Sequence, residues 1–363
     1  MIYIALIAFI YFLWNGECFF SYEKKRKCII VTTLLFILIV GLRCIQTGQD
    51  TVMYGYIYSN LNQYDSFSSF ISNYSFENSI EYGYATWQWI VHLFFDYRGF
   101  LICQAILMIT PFVYVVYKWS DNVVWSFVLY ILLGYLTWNM CAARQAPAVS
   151  FTLLAYYLYS CKRYKACIVS YLISISFHTT ALLFFPVVLI YKLLRNKKLL
   201  LISLVASKIV GNYFIPMILP YMRIDYSDEV LSGSVGQLTY FGFLAVLLYC
   251  LFIEKFHKVV LPNTFYLFSV MLILWPLVDT IAAAFRITFY FMIYLCFAIP
   301  TIINDLRDTE LEKVRRLFLF CVSIIFSVYF HNINLKTDGP RHVQPYYSVF
   351  EYSDDETKKL YKD

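Results

Sequence analysis

Long apolar runs and short polar connections take turns along this chain. The runs are continuous rather than alternating at every second residue, so they predict helices and not the strands of a barrel. A membrane span needs about 20 apolar residues. Candidate runs occupy residues 2–20, 28–42, 100–117, 123–140, 146–160, 166–191, 199–220, 237–253, 259–284, 287–304 and 317–334. The shorter ones, 28–42 and 146–160, are expected to extend into their flanks. The pattern predicts an all-α, polytopic transmembrane helical bundle of roughly eleven spans. Two runs resist a simple crossing. Residues 81–95 are short and aromatic (Tyr82, Tyr84, Trp87, Trp89). They predict an interfacial or re-entrant helix, its apolar side on lipid and its polar side toward the loop. Residues 166–191 carry basic clusters at both ends, which predicts a helix broken near His178 that turns and returns.

Composition points the same way. Of 363 residues, 61% are hydrophobic and 14% charged, whereas a soluble domain carries nearer a quarter charged residues. Mean hydropathy is +0.63. The first run, from Ile2 to Trp14, lacks the basic start and small-residue cleavage site of a signal peptide, so none is expected. The ten cysteines show no paired CxxC spacing, which favours core packing over a disulfide frame or a zinc site. No metal or other cofactor is expected, because P-loop, GxGxxG, HExxH and outer-loop Asp-x-Asp patterns are all absent.

The net charge of +6 is spread over short connections. It reads as positive-inside bias and excludes a nucleic-acid surface. The densest cluster, Lys24-Lys25-Arg26-Lys27, is placed in the cytoplasm, and the basic stretches at 162–165, 192–198, 254–258 and 305–316 join it. The amino terminus and a 43–99 loop then lie outside. Residues 1–335 form one expected integral membrane domain, with 336–363 a polar tail. No internal repeat is evident.

Four polar clusters interrupt the apolar pattern, and this topology brings all of them to the external face. An ionisable group beside a membrane span is a functional-site hypothesis by default. Arg43 follows Gly41-Leu42, and Gly48-Gln49-Asp50-Thr51 and Tyr54 come next. Asp50 is either a helix N-cap or a carboxylate able to take a proton from a sugar hydroxyl. Arg43 is either an interface residue with its head in water or a loop organiser at a site. Arg144-Gln145 offers a planar fork suited to phosphate oxygens, or else an interfacial anchor. His178 is a satisfied structural histidine, a base or a phosphate ligand, according to its partner. Arg286 either pairs with Asp279 or serves as a second phosphate clamp. The aromatics of 54–89 form a sugar platform or an interface belt. Several cationic positions on one face point to an enzyme handling an anionic, lipid-linked substrate.

At these residues the chain resembles the EpsG-type membrane proteins. Gly41-Leu42-Arg43, Gly48-Gln49-Asp50-Thr51 with Tyr54, Glu81-Tyr82-Gly83, Arg144-Gln145 with Ala148, Phe177-His178-Thr179-Thr180-Ala181, and Arg286 with Tyr290 fall in the expected order over roughly residues 1–335. The tail does not contribute, and Asp50-Thr51 with Tyr54 stands where the family's usual pattern is Asp-Tyr. The resemblance implies a Wzy-type polymerase of bacterial surface polysaccharide (O-antigen, capsule or exopolysaccharide) with a GT-C-like fold. The implied partners are an undecaprenyl-diphosphate-linked glycan donor, a second lipid-linked unit as acceptor and the lipid bilayer, together with a chain-length regulator and a flippase. The site would face the exterior of the cytoplasmic membrane. In that frame Arg43, Arg144 and Arg286 are diphosphate ligands, and Asp50 or His178 is the base. Gln145, Glu81, Tyr54 and Tyr290 would touch the glycan or shape its loop. The rival is a lipid-linked oligosaccharide flippase, for which matched interrupted helices in two halves would be expected. An outer-face acyltransferase would need a second acidic partner on the deep helix of His178, and the sequence offers none there.

Overall fold

The computed structural model describes residues 2–15, 21–48, 50–72, 80–218, 233–278, 282–307, 311–335, 343 and 346–350. Among them the architecture is all-helical. In chain order the α-helices are α1 (Ile2–Leu13), α2 (Tyr22–Gly41), α3 (Thr51–Ser59), α4 (Phe67–Phe70), α5 (Tyr82–His92), α6 (Tyr97–Trp119), α7 (Val123–Leu132), α8 (Tyr135–Cys141), α9 (Gln145–Ser160) and α10 (Tyr164–Phe177). There follow α11 (Phe184–Ile190), α12 (Lys197–Ile209), α13 (Ile215–Ile218), α14 (Gly233–His257), α15 (Asn263–Leu274), α16 (Ala282–Met292), α17 (Leu295–Asp305) and α18 (Glu312–Phe330).

Among the described residues, four helical stretches are long and apolar enough to cross a membrane: Tyr97–Trp119, Gly236–His257, Ala284–Asp305 and Glu312–Asn334. A fifth is added if the broken pair Val123–Leu132 and Tyr135–Cys141 counts as one span. The chain is a membrane-embedded protein. The roughly eleven apolar runs outnumber these helices for identifiable reasons. α2 has 20 residues, but its first turns carry Glu23 and Lys24-Lys25-Arg26-Lys27, so only Cys28 onward is apolar. α9 and α10 are 16 and 14 residues long, and α12 gives way to a π-helical turn at Val210–Phe214. Hydropathy runs straight across such breaks because it does not register backbone geometry.

The chain divides into two compact units. One comprises Met1–Trp119, Gly134–Thr179 and Phe330–Asp363. In it α10 packs along α9, α9 along α6, and α6 along α2, while α5 lies against both α6 and α10. Ser21 caps α2 by accepting from the Lys24 N–H at 3.2 Å. Pro147 sits in the first turn of α9, where its missing N–H costs little. Part of the tail set apart by its polar sequence folds back onto this unit. The Cys44 N–H donates to the Tyr347 carbonyl (2.9 Å) and the Val349 N–H to that of Leu42 (3.0 Å). In α5 the buried face is Tyr84, Ala85, Gln88 and Val91, with Ile90 exposed. The expected division of this helix into an apolar lipid side and a polar loop side is therefore not followed at Gln88.

The other unit comprises Ser120–Leu133 and Thr180–Tyr329. Its centre is α15, against which α12, α16 and α17 pack. α7 lies on α17, where the Ser126 hydroxyl donates to the Cys296 carbonyl at 2.6 Å. Phe184 stacks on Phe291 at 5.5 Å between ring centroids.

Candidate functional site

The loop after α2 is built around Arg43. The residue is 3% exposed. Nε donates to the Thr47 carbonyl (3.1 Å), one terminal nitrogen to the Val40 carbonyl, and the other to the Met140 carbonyl (3.3 Å). Arg98 in turn donates to the carbonyl of Arg43 at 2.5 Å. The turn needs a glycine at 48. Its φ is +103°, and a Cβ there would sit 2.2 Å from the Met140 oxygen. The Thr51 hydroxyl bridges the same wall, lying 3.1 Å from the Thr47 carbonyl and 3.0 Å from that of Met140. Arg43 therefore organises the loop. Its expected contact with a diphosphate does not fit a buried guanidinium committed to three carbonyls.

The second feature is a cluster centred on Glu81. α10 ends at Phe177 because His178 adopts an extended backbone (φ −158°, ψ 119°). The helix predicted to break near His178 does break there. The break frees the Thr179 N–H, which points to Glu81 Oε1 at 3.3 Å. His178 Nδ1 approaches the same oxygen at 2.6 Å. The other oxygen, Oε2, accepts from an Arg144 terminal nitrogen at 2.8 Å. Arg144 Nε donates to the Tyr54 hydroxyl at 2.7 Å, and Tyr54 packs edge-on against Tyr84 at 5.3 Å.

Close packing makes this meeting possible. Glu81 stands at the N-terminus of α5, two residues before Gly83. A Cβ at Gly83 would lie 2.2 Å from Ser176 Oγ and 2.6 Å from the Ser176 backbone carbon. Only glycine allows α5 to approach the end of α10 this closely. Arg144 is held from its other side. Gln104, buried on α6, donates to the Ala143 carbonyl at 2.6 Å and accepts from Trp87 Nε1 at 2.7 Å. Gln104 was not among the residues singled out from the sequence. The available signal was a lone amide inside the 100–117 apolar run.

The electrostatics follow from this geometry. Burial alone would raise the Glu81 carboxyl, but the hydrogen bond from His178 and the Arg144 charge outweigh it and hold the group down to about 2. Burial disfavours the Arg144 charge, yet Tyr54 and Glu81 together raise it above the ordinary arginine value. Burial raises the Tyr54 hydroxyl, with Asp50 adding to the effect and Arg144 opposing it. Because Glu81 is ionised, a 2.6 Å contact places a proton on His178 Nδ1. In the neutral ring the lone pair is then on Nε2, which is buried and has no hydrogen-bond partner among the described residues.

The remaining candidates are distributed as follows. Asp50 occupies the N-cap position of α3 without a side-chain capping bond, one turn from Tyr54 and half-buried. Gln145 is buried at the start of α9. Arg286 and Tyr290 are one turn apart on α16 in the second unit. Arg286 is half-buried, and the Tyr290 hydroxyl lies 3.1 Å from that of Thr180. Asp279, the alternative partner of Arg286, and Gln49 fall outside the described residues. Tyr58 and Tyr84 are buried in the packed interior, so an aromatic sugar platform is left to exposed rings such as Tyr56 and Tyr82. No group of three or more His, Cys, Asp or Glu side chains is assembled to hold a metal among the described residues.

Neither the curated proteins nor the solved structures contain a match to this chain. A family model does match, over residues 26–353, and so takes in the segment at 346–349 that pairs with the Arg43 loop. Covering nearly the whole sequence, that match establishes that the chain belongs to the EpsG family.

Proposed function

We propose that this chain is a Wzy-type polysaccharide polymerase. It joins undecaprenyl-diphosphate-linked repeat units on the outer face of the bacterial cytoplasmic membrane, within a GT-C-like bundle of more spans than the four longest helices. The observation that carries the reading is the Glu81 cluster. A carboxylate holds a histidine by Nδ1 and an arginine by its guanidinium, inside a membrane-embedded chain of the EpsG family. Such a trio supplies what glycosyl transfer from a lipid diphosphate requires: a base whose second ring nitrogen has no partner among the described residues, and a cation for the leaving group.

In this mechanism Arg144 binds the donor's diphosphate. His178 Nε2 takes the proton of an acceptor sugar hydroxyl, and Glu81 orients the ring and stabilises the imidazolium that forms. The acceptor oxygen bonds to the donor's anomeric carbon as the bond from that carbon to the diphosphate oxygen breaks. The electron pair leaves with undecaprenyl diphosphate, whose charge Arg144 stabilises. One displacement with one base inverts the anomeric centre. His178 is taken as the base because a carboxylate orients its ring through Nδ1, with Asp50 the alternative. Arg286 is retained as a further diphosphate ligand on sequence grounds, with Tyr290, Gln145 and Tyr54 as glycan or loop contacts. A chain-length regulator and a flippase are the proposed protein partners.

The test is polymerisation of a purified lipid-linked repeat unit by wild type, Arg144→Ala and His178→Gln. A glycan ladder from wild type that both variants lose supports the reading. No ladder from wild type, with lipid-linked glycan crossing a vesicle membrane instead, makes the chain a flippase.

A further inference from the structure

Glu81 serves an arginine and a histidine at once, and it divides its oxygens between them. Oε1 is held by His178 Nδ1 and the Thr179 N–H, and Oε2 by Arg144. The three side chains are not equally accessible. Arg144 is 24% exposed, Glu81 12% and His178 7%. An anion arriving from solvent therefore meets the arginine first and the histidine last. Tyr54 fixes Arg144 through Nε, so the terminal nitrogen can exchange partners without loss of the side chain's position. The oxygen on the histidine side is secured twice, by a ring nitrogen and by a backbone N–H, and stays in place during such an exchange.

We infer that Glu81 is a resident stand-in for the substrate's phosphate. An incoming diphosphate replaces it on Arg144, and the released carboxylate then belongs wholly to His178, which it supports as base only once the donor is seated. A diphosphate carries more negative charge than a carboxylate and can offer a guanidinium a pair of acceptor oxygens, where Glu81 meets Arg144 through Oε2, so the exchange runs toward the ligand. Among the described residues Glu81 faces His178 directly and Arg144 lies across it, and the neighbouring Tyr84 and Phe177 pack edge to face. With Arg144 turned to the diphosphate, the Glu81 carboxylate is left to hold the imidazole in place and to stabilise the imidazolium as the proton is taken. Proton abstraction is thereby tied to donor occupancy. This deepens the polymerase reading and rests on it for the identity of the step.

The experiment measures binding of inorganic pyrophosphate and of a polyprenyl diphosphate to nanodisc-embedded wild type, Glu81→Gln, Arg144→Ala and the double variant, beside kcat and KM for polymerisation. Glu81→Gln is expected to bind both probes about tenfold more tightly, because the competing anion is gone. Its kcat should fall while KM also falls. Arg144→Ala should abolish the gain in the double variant. Equal or weaker binding by Glu81→Gln overturns the inference and leaves Glu81 a structural brace. Should that variant not fold, Glu81→Asp, whose carboxylate is one methylene shorter and so withdrawn from Arg144, gives a second reading: it should bind both probes more tightly than wild type, and equal or weaker binding overturns the inference. The two readings fail separately. Tighter diphosphate binding by Glu81→Gln without any ladder from wild type removes the polymerase and keeps the exchange. A wild-type ladder with weaker binding by the variant does the reverse.

Discussion

Gly83→Ala is a one-carbon change that should disable the site without removing a polar group. The added methyl would lie 2.2 Å from Ser176 Oγ, 2.5 Å from its Cβ and 2.6 Å from its backbone carbon, where ordinary contact begins at 3.4 Å. Rotation of the serine relieves only the first clash. The backbone contact forces α5 and the end of α10 apart by about 0.8 Å, within the range in which small misplacements already cost catalysis. Glu81 rides on α5 and His178 on the end of α10, so their 2.6 Å contact opens toward the limit of a hydrogen bond. Overpacking of this kind costs about 1–3 kcal/mol of stability, and an orientation error near 1 Å costs up to roughly a hundredfold in rate. The assays are thermal unfolding in detergent and ladder formation from a lipid-linked repeat unit. A variant with wild-type stability and a rate within about twofold of wild type would refute the argument that Gly83 sets the Glu81–His178 distance.

Other outcomes follow from the same contacts. Arg43→Met should destabilise the protein by about 2–4 kcal/mol, because three carbonyls lose a charged donor in a buried setting. Its unfolding should move before any diphosphate affinity does; intact stability with lost affinity would restore Arg43 to the binding site. Gln104→Leu should cost about 1–3 kcal/mol and lower polymerisation, since the Ala143 carbonyl beside Arg144 loses its donor, and unfolding and ladder assays on the one variant check both. The pH dependence of stability has a definite sign. Glu81 titrates at about 2 in the folded state against 4.5 ordinarily, so its pairing is fully present above pH 4.5 and is lost as pH falls from there toward 2. The component is on the order of 3 kcal/mol. Acid unfolding curves of wild type and Glu81→Gln should converge at the low end of that window, and curves that stay parallel throughout would contradict the assignment.

The sequence by itself determined the class of this protein and the order of its site motifs. Continuous apolar runs with few charges can only be helical where lipid leaves no partner for an open backbone, and the ordered set from Gly41 to Tyr290 carries the family. The break at His178 was legible too, as a polar histidine in the longest apolar run with basic residues at both ends. Which motif residues meet was decided by tertiary structure. Glu81 reads as a loop residue in the sequence, 63 positions from Arg144 and 97 from His178. It becomes the centre only because Gly83 lets α5 lie against Ser176. Arg43 and Arg144 look alike on paper. One is buried among the carbonyls of Val40, Thr47 and Met140, and the other faces a carboxylate and a tyrosine with part of its surface open. A guanidinium's role depends on which acceptors surround it and on its access to water, and both are properties of packing between segments distant in the chain. The number of long apolar helices was likewise a tertiary matter, because the backbone breaks at His178, Val210 and after Leu132 fall within runs whose hydropathy does not change.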